Sequence, residues 1–386
     1  MFVIMLLAVF AVLPATPAGA EPGCAPGGPP AEQFTGVPWP QARYDPRRLA
    51  GIADGSGVTV AVVDSGVDAA HPLLAGAVLR GEDLLDRAGT GQRDCVGHGT
   101  AVASIIAGTP LDGIVVGLAL GARVLPFRVS EQEIIDGHPS GNPGTAAGVA
   151  KAIHDATDRG AQVINLSLVL PDHPAVRASV GYALAHDVVV VAAVGNAHRD
   201  DGLDPVPYPA GYPGVLGVGA VNEYGGRMPS SQVGPYVDLV APGSAVVGAA
   251  QGRGLAHFDG TSFAVPFVSA TAALIRQYHP DLSATAVAAR ILATTDPAPG
   301  GSYSESYGYG ILNPYRAVTD QLGPAPAVVT NPPPHPRRSV AVRATTAGLG
   351  TASMLALASL LLAGLVGLAS TVLPRGAARH WRAGRT

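Results

Sequence analysis

Lysine is nearly absent from this chain. Lys151 is the sole lysine of 386 residues, so almost all of the 24 Lys+Arg cations are arginine. Charged residues make up 13% and aromatics 5%, and net charge is −4. No basic block interrupts the central part of the chain, which argues against a nucleic-acid surface. No HExxH pair occurs among the histidines, and no acidic run resembles an EF-hand loop, so nothing calls for a metal or other cofactor. His71, His138, His154, His173, His186, His198, His257 and His279 accordingly read as surface or structural residues. Cysteine is limited to Cys24 and Cys95. Apolar residues reach 47%, ample for a large core, and 50 Gly with 35 Pro fit a loop-rich fold.

Both ends of the chain read as targeting and membrane segments. Residues 1–20 hold an apolar run, Phe2 to Leu13, then Pro14 and the small-residue site Ala18-Gly19-Ala20, the pattern of a secretory signal peptide without a basic n-region. Leu349 to Leu373 contains 25 residues and no charge. At about 1.5 Å per residue it exceeds the roughly 30 Å hydrocarbon core, so a transmembrane helix is expected over 349–373. Arg375, Arg379, Arg382 and Arg385 follow it and mark 374–386 as a short cytoplasmic tail. An exported body on a single span of the cell membrane results. Residues 321–348 carry Pro324, Pro326, Pro332, Pro333, Pro334 and Pro336, a semi-rigid spacer between body and span. Export favours a Cys24–Cys95 disulfide that ties the N-terminal segment close to His98; two free thiols are the alternative.

Residues 21–55 are Pro/Gly-rich and read as an irregular extension packed on the body, with no room for a long pro-domain. From residue 56 the pattern changes. Val58 to Val63 is a β-branched run of the kind buried on both faces of a sheet, and similar runs recur at Ala122 to Phe127, Val163 to Leu168, Val188 to Val194 and Val215 to Val221. Helical patterns over Thr100 to Gly108, Gly144 to Gly160 and Ala175 to His186 lie between them. Strand and helix alternate, so 56–320 is expected to be one α/β domain around a mostly parallel sheet. Sites in such sheets lie beyond the carboxyl ends of the strands, where Asp64, Ser167, Leu168 and Asn196 are expected.

Three stretches carry chemistry together. Gly260-Thr261-Ser262 precedes an apolar run, Phe263 to Tyr278, that suits a serine at the first turn of a buried helix. A serine hydroxyl needs a base within hydrogen-bond reach, and His98, between Gly97 and Gly99, is the candidate. Asp64, at the end of the first strand, would orient the imidazole and stabilise its charged form. Asn196, after an apolar strand, can donate to a developing oxyanion beside the Ser262 N–H. Ser167-Leu168-Val169 offers extended backbone with which a substrate peptide could pair as an added strand.

These blocks resemble the subtilisin-like serine proteases. The quoted stretches are Val62-Val63-Asp64-Ser65-Gly66-Val67-Asp68, Gly97-His98-Gly99-Thr100, Val194-Gly195-Asn196 and Gly260-Thr261-Ser262, with support from Tyr208-Pro209-Ala210, Val240-Ala241-Pro242-Gly243 and Tyr309-Gly310-Ile311-Leu312. The resemblance runs from about Gly57 to Val318. It implies a three-layer fold, a triad of Asp64, His98 and Ser262, Asn196 as oxyanion donor, and a substrate pocket lined by Ser167, Leu168 and Val169 with Ala193, Val194 and Gly195. The family usually has glycine where Val169 stands, which implies a narrowed pocket, and commonly methionine where Phe263 stands. The signal peptide, the Cys close before His98, the proline-rich linker and the single span resemble the mycosins, membrane-anchored subtilases of type VII secretion. That resemblance implies cleavage of secreted protein or peptide substrates and association with the secretion membrane complex. The alternative it leaves open is a mainly structural subunit that stabilises that complex, with proteolysis secondary. A third possibility is an anchored scavenging protease of broad specificity.

Overall fold

The structure, a computed structural model, describes residues 34–323 apart from positions 35, 50, 87–88, 112, 136–137, 200–203 and 302, together with five helical positions between 363 and 375. The chain divides into two units, Met1–Asn331 and Pro332–Thr386, and the fold below is that of the first. Its sheet strands are β1 (Thr59–Asp64), β2 (Glu82–Asp83), β3 (Arg123–Arg128), β6 (Val163–Leu166), β7 (Val189–Ala193), β8 (Leu216–Val221) and β9 (Leu239–Pro242). Two antiparallel hairpins add β4 (Glu133–Ile135) with β5 (His138–Ser140), and β10 (Val246–Ala249) with β11 (Leu255–Phe258). The helices are α1 (Trp39–Tyr44), α2 (His98–Ala107), α3 (Ala146–Asp158), α4 (Pro174–Ala185), α5 (Thr261–Tyr278), α6 (Ala284–Ala293) and α7 (Pro314–Thr319).

The seven strands lie in the order β2-β3-β1-β6-β7-β8-β9, and every pairing is parallel. A parallel sheet needs helical cover on both faces, which is why its strands read as unbroken apolar runs. Alternate residues of β1 divide between the covers. Val60 and Val62 pack with α2 and α5, whereas Ala61 and Val63 pack with α3 and α4. The three layers expected from sequence are therefore present. Strand ends fall within one residue of the expected runs, except that β6 stops at Leu166 and leaves Ser167 and Leu168 beyond the strand.

Strand order reverses between β1 and β6: the chain first moves from β1 to β3 on one side, then returns to β6 on the other. A crevice opens at such a switch point, outside the carboxyl ends of the strands. Asp64 and Ser167 stand on its two sides. Nearly every residue of α5 is buried as far as Ile275, so the helix runs through the core and delivers its N-terminus to this crevice.

One expectation needs correction. Part of the extension over 21–55 is regular: Trp39–Tyr44 is helical and Pro46–Leu49 forms a 3-10 turn. Tertiary contacts hold it, with Trp39 Nε1 donating to the Ser244 carbonyl at 2.8 Å and Gln41 Nε2 to the Val116 carbonyl at 2.7 Å. A six-residue helix is marginal alone and owes its existence to such packing. The expected signal peptide and Cys24 lie outside the described residues, as do the linker beyond residue 323, the basic tail apart from Arg375, and nearly all of 349–373. Among the described residues no helix is long and apolar enough to cross a membrane.

Candidate active site

Asp64 ends β1 and is 5% exposed. Its Oδ1 lies 2.7 Å from Nδ1 of His98, the first residue of α2. A carboxylate on Nδ1 fixes the proton there and leaves Nε2 as the proton-accepting nitrogen. Burial pushes the His98 pKa down, but the Asp64 carboxylate, by charge and by hydrogen bond, and Asp94 farther off outweigh it, and the net shift is upward. The loop carrying His98 presses on the loop after β1. A Cβ on Gly99 would lie 2.1 Å from the Gly66 carbonyl oxygen. The glycine beside the histidine thus serves an approach of two backbones.

Asp94 organises this corner, and sequence reasoning missed it. The carboxylate is 6% exposed and accepts from Ser65 Oγ at 2.9 Å, the Val96 N–H at 3.0 Å, the Gly97 N–H at 2.7 Å, and the Thr100 N–H and Oγ1 at 2.8 and 2.6 Å. Ser65 Oγ in turn accepts the Gly99 N–H at 2.9 Å. Burial pushes the Asp94 pKa up, and the Thr100 and Gly97 donors offset only part of the rise. The available signal was an acid four residues before a histidine that begins a helix, the spacing of a carboxylate capping its own loop.

Ser262 is the second residue of α5, and its Oγ donates to the Ser167 carbonyl at 3.2 Å. The backbone here has a particular need. Pro266 stands inside α5, so the Ser262 carbonyl lacks the N–H that would normally reach it from four residues on. Ser167 Oγ supplies the missing donor at 2.7 Å. Asn165 Nδ2 donates to Ser167 Oγ at 2.9 Å, and Asn165 Oδ1 accepts from Ser269 Oγ at 2.8 Å. These buried bonds lock the end of β6 to the start of α5. The Phe263 ring lies 5.1 Å from that of His98 and 4.7 Å from that of Phe258, which closes one side of the imidazole.

Asn196 follows β7 and approaches the same helix end. Its Oδ1 accepts the Thr261 N–H at 2.9 Å. A backbone donor at Oδ1 fixes which way the amide points, so both Nδ2 hydrogens are turned to other acceptors. Gly260, at φ +134°, lets the chain pass here, since a Cβ would lie 3.0 Å from Asn196 Nδ2.

The residues expected to line the substrate lie close together. Ser167, Leu168 and Val169 run out from β6 and end in a two-way backbone pairing of Leu170 with Tyr208. Val169 is 42% exposed, and its Cγ2 lies 3.4 Å from where a Cβ on Gly195 would stand. The two expected walls therefore meet at Val169 and Gly195. Ala193 and Val194 point their side chains into the two cores and can offer a peptide only backbone. The Cys95 carbonyl accepts from the Gln251 amide, which joins the His98 loop to the β10–β11 hairpin.

The Peptidase S8 model, described as the subtilase family, matches residues 55–310. This chain belongs to the subtilase family. Among its relatives, Mycosin-1 of Mycobacterium tuberculosis is 36% identical, over 77% of this chain and 76% of that protein. Among solved structures, that of "a serine protease MycP1, an essential component of the type VII (ESX-1) secretion system" superposes with TM-score 0.65 at 34% identity, covering 77% of this chain and 92% of its own. The periplasmic assembly from the ESX-5 inner membrane complex includes a polypeptide that matches with TM-score 0.66 at 31% identity, over 78% of this chain and 88% of that one. As a subtilase related to serine proteases, this protein is a hydrolase of that class, similar to the mycosins.

Proposed function

We propose that this subtilase is an endopeptidase in which Ser262 attacks the scissile carbonyl, His98 takes the hydroxyl proton at Nε2, and Asp64 holds the imidazole and stabilises its cation. The 2.7 Å contact of Asp64 with His98 at the strand switch point is the observation that carries this reading. Attack gives a tetrahedral intermediate, whose oxyanion receives hydrogen bonds from Asn196 Nδ2 and the Ser262 N–H. His98 then returns the proton to the departing amine and leaves an acyl-enzyme on Ser262. Water activated by the same imidazole hydrolyses the ester and frees the serine. In the resting state the Ser262 hydroxyl is held by the Ser167 carbonyl, and reaction begins when it turns to His98. Val169 narrows the pocket for the residue before the scissile bond and favours small side chains there.

The layout supports a place in a type VII secretion membrane complex, the setting of the similar MycP1 and ESX-5 structures. Residues 1–20 act as signal peptide, 321–348 as spacer, and 349–373 as the span that leaves the protease on the extracytoplasmic side. Within that stretch Val366 and Leu368 are helical and 62% and 61% exposed, as lipid-facing residues would be. A Cys24–Cys95 bridge pins the extension beside the His98 loop; no described cysteine is free. Fluorophosphonate labelling of the full-length protein tests the catalytic reading. Labelling lost in Ser262→Ala is expected, and a folded, unlabelled wild type refutes it. A scaffolding role predicts instead that Ser262→Ala restores secretion to a deletion strain while a protein truncated before Leu349 does not.

A further inference from the structure

A second pocket lies away from the catalytic crevice, where the N-terminal extension meets the C-terminal part of the domain. Its volume is about 280 Å³, and Arg43, Tyr44, Arg48, Asp296, Asn313 and Tyr315 line it. That is slightly below the range of drug-sized sites and fits one side chain or a short peptide end.

The polar groups around it are unbalanced. Asp296 has both oxygens occupied, Oδ2 by Arg43 at 3.1 Å and Oδ1 by the Asn313 amide at 2.8 Å. Arg48 lies over the Tyr315 ring at 4.6 Å, and no carboxylate among the described residues forms an ion pair with it. Two arginines against one aspartate leave a single positive charge. Two buried donors also lack an acceptor: the hydroxyl of Tyr44, a residue 7% exposed whose oxygen faces the Arg43 side chain but whose proton has no acceptor, and Arg43 Nε. Buried polar groups are nearly always paired, so unspent donors around a cavity point to an acceptor from outside. Burial pushes the Tyr44 pKa up, so the hydroxyl keeps its proton and can donate.

We propose that the pocket between α1 and α7 binds a carboxylate of a partner polypeptide, either an acidic side chain or a free C-terminus. One excess positive charge matches a carboxylate better than a phosphate dianion. A planar acid can take the Arg48 fork and the Tyr44 hydroxyl together. Tyr44 meets Phe267 of α5 edge to face at 5.8 Å, so the occupant would sit behind the helix that carries Ser262.

Saturation-transfer NMR on the detergent-solubilised full-length protein tests this with Ac-Ala-Ala-Glu-Ala-Ala-NH2, its Gln counterpart, and Ac-Ala-Ala-Ala with a free C-terminus. The Glu peptide or the free acid should give the stronger signal, and which of them does identifies the source of the carboxylate. The preference should fall at least tenfold in Tyr44→Phe, which removes one oxygen, and in Arg48→Gln. It should persist in Ser262→Ala, which separates this pocket from the catalytic crevice. Equal signals from all three peptides, or a preference unchanged in both pocket variants, would overturn the proposal. Displacement of the acid by equimolar inorganic phosphate would overturn the assignment to carboxylate.

Discussion

The partnership of Pro266 and Ser167 can be tested by a double-mutant cycle. In α5 the proline deprives the Ser262 carbonyl of its intrahelical donor, and Ser167 Oγ replaces it at 2.7 Å while accepting from Asn165 Nδ2 at 2.9 Å. Ser167→Ala therefore orphans two buried groups. Each unsatisfied group costs about 1–3 kcal/mol, and some relaxation at the crevice edge brings the pair to about 2–4 kcal/mol. Pro266→Ala restores an N–H four residues beyond the carbonyl, at the expense of a buried ring worth about 1–2 kcal/mol of packing. With that N–H in place, Ser167→Ala orphans only Asn165 and should cost about 1–2 kcal/mol less. All four proteins should carry Ser262→Ala, which removes self-digestion and keeps the carbonyl at issue. Urea unfolding can be followed by fluorescence of Trp39, whose indole is tied to the Ser244 carbonyl when folded. Additivity within about 0.5 kcal/mol would show that Ser167 does not stand in for the missing helix bond.

Other predictions concern turnover. Asn196→Leu should lower kcat by roughly 10²–10³ with little change in KM, as expected of a donor to the oxyanion; a raised KM with kcat unchanged would refute that role. Because the net shift of His98 is upward, the base is still protonated at about pH 6.5, so kcat/KM should rise through a pKa above that ordinary value. In Asp64→Asn the rise should move to lower pH and the plateau should drop by roughly 10⁴-fold, as the tautomer and the cation lose their support. Val169→Gly should widen the pocket and raise kcat/KM for large residues before the cleaved bond over that for alanine, read from a peptide library. Asp94→Ala should slow turnover and destabilise the fold by at least about 2–3 kcal/mol, since five hydrogen bonds to one buried carboxylate vanish.

What could be read from the sequence is what local pattern decides. The apolar runs of β1, β3, β6, β7 and β8 announced a parallel sheet because burial on both faces leaves no room for polar alternation. Asp64, Asn196 and Ser262 could be placed at element ends because strand and helix boundaries are written in turn residues. α1 escaped notice because six residues carry too little periodicity, and it stands on contacts with Ser244 and Val116, more than 70 positions away. β9 and the β10–β11 hairpin are short, and Gly and Pro interrupt their neighbourhood, so no run stood out.

The polar wiring was hidden for a different reason. Ser167 was expected to line a substrate pocket, and its backbone does stand there. Its side chain answers a demand set 99 positions later by Pro266, since a proline in the first turns of a buried helix obliges some other element to supply a donor. Asp94 likewise serves donors on Ser65 and on the turn into α2. Neither role follows from the residue's own neighbours in the chain. Both follow from the rule that a buried donor or acceptor must be met. In this fold the rule bites hardest at the crevice, where three strand ends and two helix starts bring unmet backbone groups together. The same demand for pairing ties the Asp64–His98 pair to the loop held by Asp94, and ties the Ser262 turn to the end of β6.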